Sequence, residues 1–248
     1  MHGGAAPDRP GDDLFARYTR DYVTGRFGQQ IMILLAGCTT AGTDLGVDAL
    51  RAEGTADISV GLIDDDQPVT SAAIGVHESL KACVQGDLRT VPLPPRSQDI
   101  VLCSLLLHRV RHAELVLDRL VAAIKPGGLL LLRFCDRDSA AGFLDRRLPR
   151  VIRGLIWRNR RPGEPGPHPA VYERLTSARG VQAYALKRGL VISERTVLGG
   201  LAGQLSGPAG FLAVQKVIAR LSGGRLTVAH EELLYVLRKP ENRFARVI

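Results

Sequence analysis

Asp99-Ile100-Val101-Leu102-Cys103-Ser104-Leu105-Leu106-Leu107-His108 is an apolar run that starts on a carboxylate and ends on an imidazole. Behind it, residues from about His112 to Ile124 change to helical spacing, with Leu115, Val116, Leu120 and Ala123 on the inner side. Lys125-Pro126-Gly127-Gly128 stops that helix, because proline lacks an N–H and glycine admits the left-handed turn. Leu129–Phe134 is apolar again. An apolar run without alternation, bounded by turn residues, predicts a strand covered on both faces. Strand, helix and strand in this order predict neighbouring parallel strands.

The same rhythm extends upstream. Ile31–Ala36 is a continuous apolar run closed by Gly37, Thr43–Arg51 reads as a helix, and Ile58–Ile63 is a strand closed by Asp64-Asp65-Asp66. Residues 69–80 are weakly helical, and Cys83-Val84-Gln85 is a short strand before Gly86-Asp87. Leu14, Phe15, Tyr18, Tyr22 and Val23 recur near helical spacing and predict a helix over 13–24, after a loose tail over 1–12. Downstream, Glu173–Arg188 reads as a helix, Leu190–Val197 as a strand, Phe211–Leu221 as a helix and Glu232–Leu237 as the last strand. Gly199–Gly210 reads as a loop.

One segment breaks the rhythm. Residues 138–170 begin helical and end in Arg-Pro-Gly-Glu-Pro-Gly-Pro-His-Pro, through which no helix passes. Within 140–161 stand seven arginines, Arg146, Arg147, Arg150, Arg153, Arg158, Arg160 and Arg161, and one acid, Asp145. Phe143, Leu144, Leu148, Val151, Ile152, Leu155, Ile156 and Trp157 lie between them. A basic amphipathic helix over 143–161 suits a cap over an acceptor site, a solvated face, or contact with a protein partner or an anionic membrane.

Composition bounds the class. The 248 residues are 45% hydrophobic and 23% charged, which is globular and long enough to bury a core without disulfides or metal. The net charge of +8 is uneven: residues 1–100 hold 14 acidic and 8 basic residues, and residues 101–248 hold 11 and 25. Aromatic residues are 5%, too few for a base-stacking platform, and no zinc knuckle is present, so nucleic acid is not the expected partner. Cys38, Cys83, Cys103 and Cys135 have no CxxC spacing, which predicts reduced thiols and a reducing compartment. Met1 to Asp13 has no apolar signal core, and Ile31–Ala36 is too short to span a bilayer, so the expectation is a soluble cytoplasmic protein. No metal is expected, since Asp136 and Asp138 alone are too few ligands.

Ligands in an open parallel sheet sit beyond the carboxyl ends of the strands. Gly37–Gly42, Asp64, Asp87 and Leu105–His108 lie at four such ends. Small residues after the first strand admit close backbone approach. A carboxylate at Asp64 suits the two hydroxyls of a ribose, and Asp87 suits an exocyclic amine such as that of adenine. These positions outline a nucleoside-sized pocket, or else ordinary strand-end loops.

Gly86-Asp87-Leu88, Leu93-Pro94, Ser97, Asp99-Ile100-Val101, Leu107-His108 and Ile124-Lys125-Pro126-Gly127-Gly128, in that order and spacing, resemble class I S-adenosylmethionine-dependent methyltransferases. The nearer likeness is to the small-molecule group that includes the ubiquinone-type C-methyltransferases. It is good over 83–134 and fair over 30–66; Ala178-Arg179-Gly180, Gly189-Leu190-Val191 and Tyr235–Pro240 resemble the family's last helix and strands.

The resemblance implies a Rossmann-like α/β fold, a seven-stranded mostly parallel sheet with its last strand antiparallel. Residues 1–26 would be a tail and lid helix, and 27–248 the methyltransferase-like domain, with 138–170 inserted over the acceptor side. S-adenosylmethionine is the implied cofactor. Gly37, Thr39 and Ala41 would pass its methionine part, and Asp64 would hold the ribose, with Asp65 the next register. Asp87 would approach the adenine amine with Leu88 beside the ring, and Leu105 and His108 would border cofactor and acceptor. The first loop is degenerate. The family's acid is replaced by Leu35, and its three alternating glycines read Gly37, Thr39 and Ala41.

For chemistry, His108 is the first candidate base, because an imidazole titrates near neutrality, and Asp136, at the end of the fifth strand, is the second. The expected function is methyl transfer from S-adenosylmethionine to oxygen or carbon of a small-molecule acceptor, in the manner of secondary metabolism. The alternative is a methyltransferase-fold protein that does not methylate, acting as a partner-binding or activating subunit or as another enzyme. A protein partner or a homo-oligomer would use 143–161.

Overall fold

The computed structural model describes residues 12–37, 45–54, 56–64, 80–160, 166–199 and 209–241. Thr39, Ala41, Cys38, Asp65 and nearly all of the weakly helical 69–80 lie outside the described residues.

The elements are α1 (Asp12–Thr24), β1 (Gln30–Ala36), α2 (Val47–Ala52), β2 (Asp57–Asp64), β3 (Leu80–Gln85), β4 (Gln98–Ser104), α3 (Ala113–Ala123), β5 (Ile124–Cys135), α4 (Ala140–Arg147), α5 (Arg150–Arg160), α6 (Ala178–Lys187), β6 (Val191–Leu198), α7 (Ala209–Leu221) and β7 (Glu232–Arg238). The strands form one seven-stranded sheet in the order β3-β2-β1-β4-β5-β7-β6. Strands β1 to β5 pair in parallel, and β7 runs antiparallel to both β5 and β6.

Both faces of the central strands are dry, while the edge strands β3 and β6 are partly exposed, and alternation within each central strand explains how it is covered. Leu34 and Ala36 of β1 face one core with Val101, Cys103, Leu130 and Leu132, closed by Val116, Leu117 and Leu120 of α3 and Val181 and Tyr184 of α6. Ile33 and Leu35 face the other core with Ile58, Leu62, Ile100 and Leu102, closed by Phe15 and Val23 of α1 and Leu50 of α2. Alternate residues point to opposite faces of a strand, so a strand buried on both sides is apolar throughout.

The structure revises several boundaries. Helix α3 ends at Ala123, and β5 starts at Ile124 rather than Leu129. The ladder jumps from Gln98↔Ile124 to Ile100↔Leu129, so Lys125-Pro126-Gly127-Gly128 is a bulge inside β5. Leu115, expected inside, is exposed. The expected helix over 173–188 begins only at Ala178, where Ser177 Oγ accepts from Gly180 N. The segment before it is a turn in which Glu173 caps α3 from outside, accepting from the N–H groups of His112 and Ala113 at 2.7 and 3.0 Å.

The basic segment 143–161 is two helices, not one. Leu148 closes α4 in an extended conformation (ψ 141°), and Pro149 follows. The proline ring clashes with a helical preceding residue, so the chain turns there before α5 begins.

Candidate active site

The sheet order reverses between β1 and β4, and both carboxyl ends meet there: Ala36 pairs with Ile63 on one side and Cys103 on the other. Such a reversal opens a crevice beyond the strands. Gly37 turns the chain out of β1 with φ +70°, its N–H donating to Ile63 O at 3.1 Å. A Cβ at this position would stand 2.4 Å from Leu106 Cβ. Only glycine satisfies both the left-handed φ and that approach.

Asp64 closes β2 and is fully buried. Arg109, also buried, places Nη2 2.6 Å from each of its carboxylate oxygens. The carboxylate expected to hold a ribose therefore holds a guanidinium. Cys103 lies close to this pair; burial, the largest cause, pushes its thiol up to about 12, with Arg109 opposing and Asp64 adding.

Asp87 lies at the turn after β3 and is exposed. Its carboxylate accepts from Arg89 N and Nε at 2.9 Å and from Nη2 at 2.7 Å. The Arg89 side chain, first, and its backbone N–H, second, bring the carboxyl down to about 2. Leu88 is buried beside it. Asp87, Leu88, Arg89, Arg109, Arg111 and residues 169–171 line one open cleft of about 850 Å³.

Leu105 turns β4 outward with φ +52°, a region that non-glycine residues rarely occupy, and its N–H donates to Arg133 O at 2.7 Å. Strain of this kind gathers where surrounding structure imposes it. Three residues on, His108 is buried, and its carbonyl accepts from the N–H groups of Val171 and Tyr172, each at 3.0 Å. The imidazole lies 5.3 Å from the Tyr172 ring, tilted by 44°.

His108 lines a second, smaller and more enclosed cavity of about 90 Å³ with Cys135, Leu144, Leu148, Ile156, Trp157, Tyr172 and Glu231. Helices α4 and α5 supply its roof. The phenol of Tyr172 donates to Asp145 Oδ2 at 3.0 Å, and Arg153 Nε donates to Asp145 Oδ1 at 2.7 Å. Burial, then the neighbouring Cys135 and Asp145, hold Tyr172 well above the usual phenol range, so it stays a donor. Glu232 at the floor accepts from Arg133 Nε at 2.8 Å, both side chains buried. Trp157 stands edge-on to His168 at 5.3 Å.

The structure thus places Asp87 and Leu88 on the cleft, Asp64 beneath it, and His108 on the adjoining chamber. Asp136 does not line that chamber. It is buried, accepts from Asp138 N at 2.9 Å, and lies 2.8 Å from His230 Nε2, so its carboxylate ties the end of β5 to the approach of β7. Arg109 and Tyr172 carry no signal in the sequence, because their partners Asp64 and Asp145 lie 45 and 27 residues away and nothing local marks them. Asp145 and Arg153 stand out only as members of the basic segment; their pairing across eight residues, from α4 to α5, is set by the fold. Among the described residues no group of three His, Cys, Asp or Glu converges on a metal position.

A family profile described as a methyltransferase domain matches residues 35–132. No curated protein matches the chain in sequence. Solved structures share its fold. The 4+2 cyclase SpnF is 17% identical with TM-score 0.54, over 97% of this chain and 85% of that one. A candidate sarcosine dimethylglycine methyltransferase from Galdieria sulphuraria is 14% identical with TM-score 0.56, over 94% and 86%. The YcgJ protein of Bacillus subtilis is 15% identical with TM-score 0.56, over 93% and 98%. The architecture is that of the class I S-adenosylmethionine-dependent methyltransferases.

Proposed function

We propose that the chain transfers a methyl group from S-adenosylmethionine to oxygen or carbon of a small-molecule acceptor, a reaction typical of secondary metabolism. One observation carries the reading. Two compartments adjoin at the carboxyl end of the sheet, and consecutive residues, His108 and Arg109, belong to the chamber and to the cleft. The cleft, at about 850 Å³, has the size of a nucleoside site, and the chamber, at about 90 Å³, has room for the reacting end of an acceptor.

The adenosine half of the cofactor fits the residues of the cleft: Asp87 as acceptor for an amine and Leu88 as an apolar wall. The ribose fits at Asp64 once Arg109 has left the carboxylate. When bound, S-adenosylmethionine supplies a methyl group on a sulfonium centre. The chain's own work is alignment and exclusion of water, and the α4–α5 roof provides the second. His108 is placed to take the proton of an acceptor hydroxyl or acidic carbon. Tyr172, held protonated and anchored to Asp145, stands beside His108 as a second polar contact for that acceptor.

The Asp64–Arg109 pair favours a second reading, in which the cleft does not take S-adenosylmethionine and the fold serves other chemistry or a partner. SpnF, named as a cyclase, has this same fold, and a fold does not fix a function. Calorimetric titration with S-adenosylmethionine and S-adenosylhomocysteine separates the two. Micromolar binding that Asp87→Ala weakens supports methyl transfer. A flat trace for both wild type and Arg109→Ala, each folded by thermal melt, overturns it.

A further inference from the structure

Helix α5 presents two different faces. Its sequence, Arg150-Val151-Ile152-Arg153-Gly154-Leu155-Ile156-Trp157-Arg158-Asn159-Arg160, contains no carboxylate. Arg153, Ile156 and Trp157 turn inward onto the chamber. On the other side Val151 is 85% exposed, Leu155 62% and Ile152 44%. At about 100° per residue, Val151, Leu155 and Arg158 form one line along the helix, with Ile152 beside it. A single exposed leucine is ordinary, but three adjacent apolar side chains on one acid-free helix are not.

Arginines surround this line. Arg147, Arg150 and Arg158 are exposed. Of the two acids that flank the helix in sequence, Asp145 is committed to Arg153 and Tyr172, and Glu164 lies outside the described residues. The charge of the whole second part of the chain has the same sign, since residues 101–248 hold 25 basic and 11 acidic residues.

We propose that the outer face of α5 docks on an anionic lipid surface, with Val151, Ile152 and Leu155 seated at the level of the upper acyl chains and Arg147, Arg150 and Arg158 reaching the headgroup phosphates. Charge selects this occupant. A second copy would bring arginine against arginine. The three apolar side chains form a convex stripe rather than a groove, which suits a deformable surface better than a rigid acidic peptide. Arginine carries its charge on a long apolar stem, so the same residue lies along the acyl region and ends at a phosphate. Nothing in this depends on which ligand the cleft takes. It does place the membrane against the helix whose inner face roofs the chamber. No described helix is long and apolar enough to cross a membrane; the contact is interfacial.

The full chain should float with vesicles of phosphatidylcholine containing roughly a third phosphatidylglycerol, and much less with phosphatidylcholine alone. An Arg147→Gln/Arg150→Gln/Arg158→Gln variant should bind about 100-fold more weakly, from about a fivefold loss per arginine at an anionic surface. Val151→Glu/Leu155→Glu should lose binding even in low salt. All these sites are exposed, and thermal melts confirm that the variants are folded. Failure to float with anionic vesicles in low salt overturns the proposal. Binding that Val151→Glu/Leu155→Glu leaves intact also overturns it, as does stronger retention by a poly-glutamate peptide than by vesicles, which would assign the face to an acidic protein.

Discussion

Arg109 Nη2 sits 2.6 Å from both carboxylate oxygens of Asp64, and neither side chain is exposed. Two charges leave water together only when each satisfies the other, and removing one strands its partner. Arg109→Ala or Asp64→Ala should each cost about 3–5 kcal/mol in urea unfolding. Asp64→Leu combined with Arg109→Met should recover most of that loss, because an apolar pair of similar volume needs no partner. Additive losses in the double variant would show that the two residues stabilise the fold separately.

Gly37 and Gly189 separate two costs. Both have positive φ, but a Cβ on Gly37 meets Leu106 Cβ at 2.4 Å, whereas one on Gly189 meets nothing within 4 Å. Gly189→Ala should cost about 1 kcal/mol, the price of a left-handed residue with a side chain. Gly37→Ala should cost about 3 kcal/mol, since overpacking adds to it. Equal losses would mean that the crevice yields easily at Leu106.

All five tyrosines have phenols raised above their ordinary value. Burial is the first cause for each, and Tyr22, Tyr172 and Tyr184 also face Asp99, Asp145 and Asp118. The folded state therefore favours the neutral phenol. That contribution is complete below pH 10, the ordinary value, and is lost as pH rises above it, when only the unfolded chain ionises. Tyrosinate absorbance should stay low past pH 10 and rise together with loss of the circular-dichroism signal. Tyr22→Phe should flatten the alkaline fall in stability. Ionisation of most tyrosines in the still-folded protein would contradict this burial.

Trp157 is the one tryptophan of the chain and lines the chamber. A small phenol seated there should change its fluorescence in a saturable way. Ala141→Leu, which adds bulk to the lining, should abolish the response while costing about 1–3 kcal/mol of stability. An unchanged response in that variant would place the phenol elsewhere.

Much of this architecture is legible before any coordinates. Ile31–Ala36, Ile58–Ile63 and Ile100–Cys103 are apolar at every position but Ser59 because each strand is covered on both sides, and that pattern is local. The strand-end positions Gly37, Asp64, Asp87 and Leu105 follow from where each apolar run stops. The break between α4 and α5 was equally local, at Pro149, but it hides within a continuous amphipathic period. The cap that Glu173 places on α3, about 60 residues away, leaves no such trace.

The chain's own sequence determined the layered sheet and the strand ends where a site must lie, because hydrophobic period and turn residues act over a few positions. Only the tertiary structure decided that Arg109 meets Asp64, that His230 occupies Asp136, and that Tyr172 and Asp145 close a chamber beside His108. These side chains converge across long stretches of chain, and a buried charge is compensated by whatever the fold brings within about 3 Å, not by its neighbours in sequence.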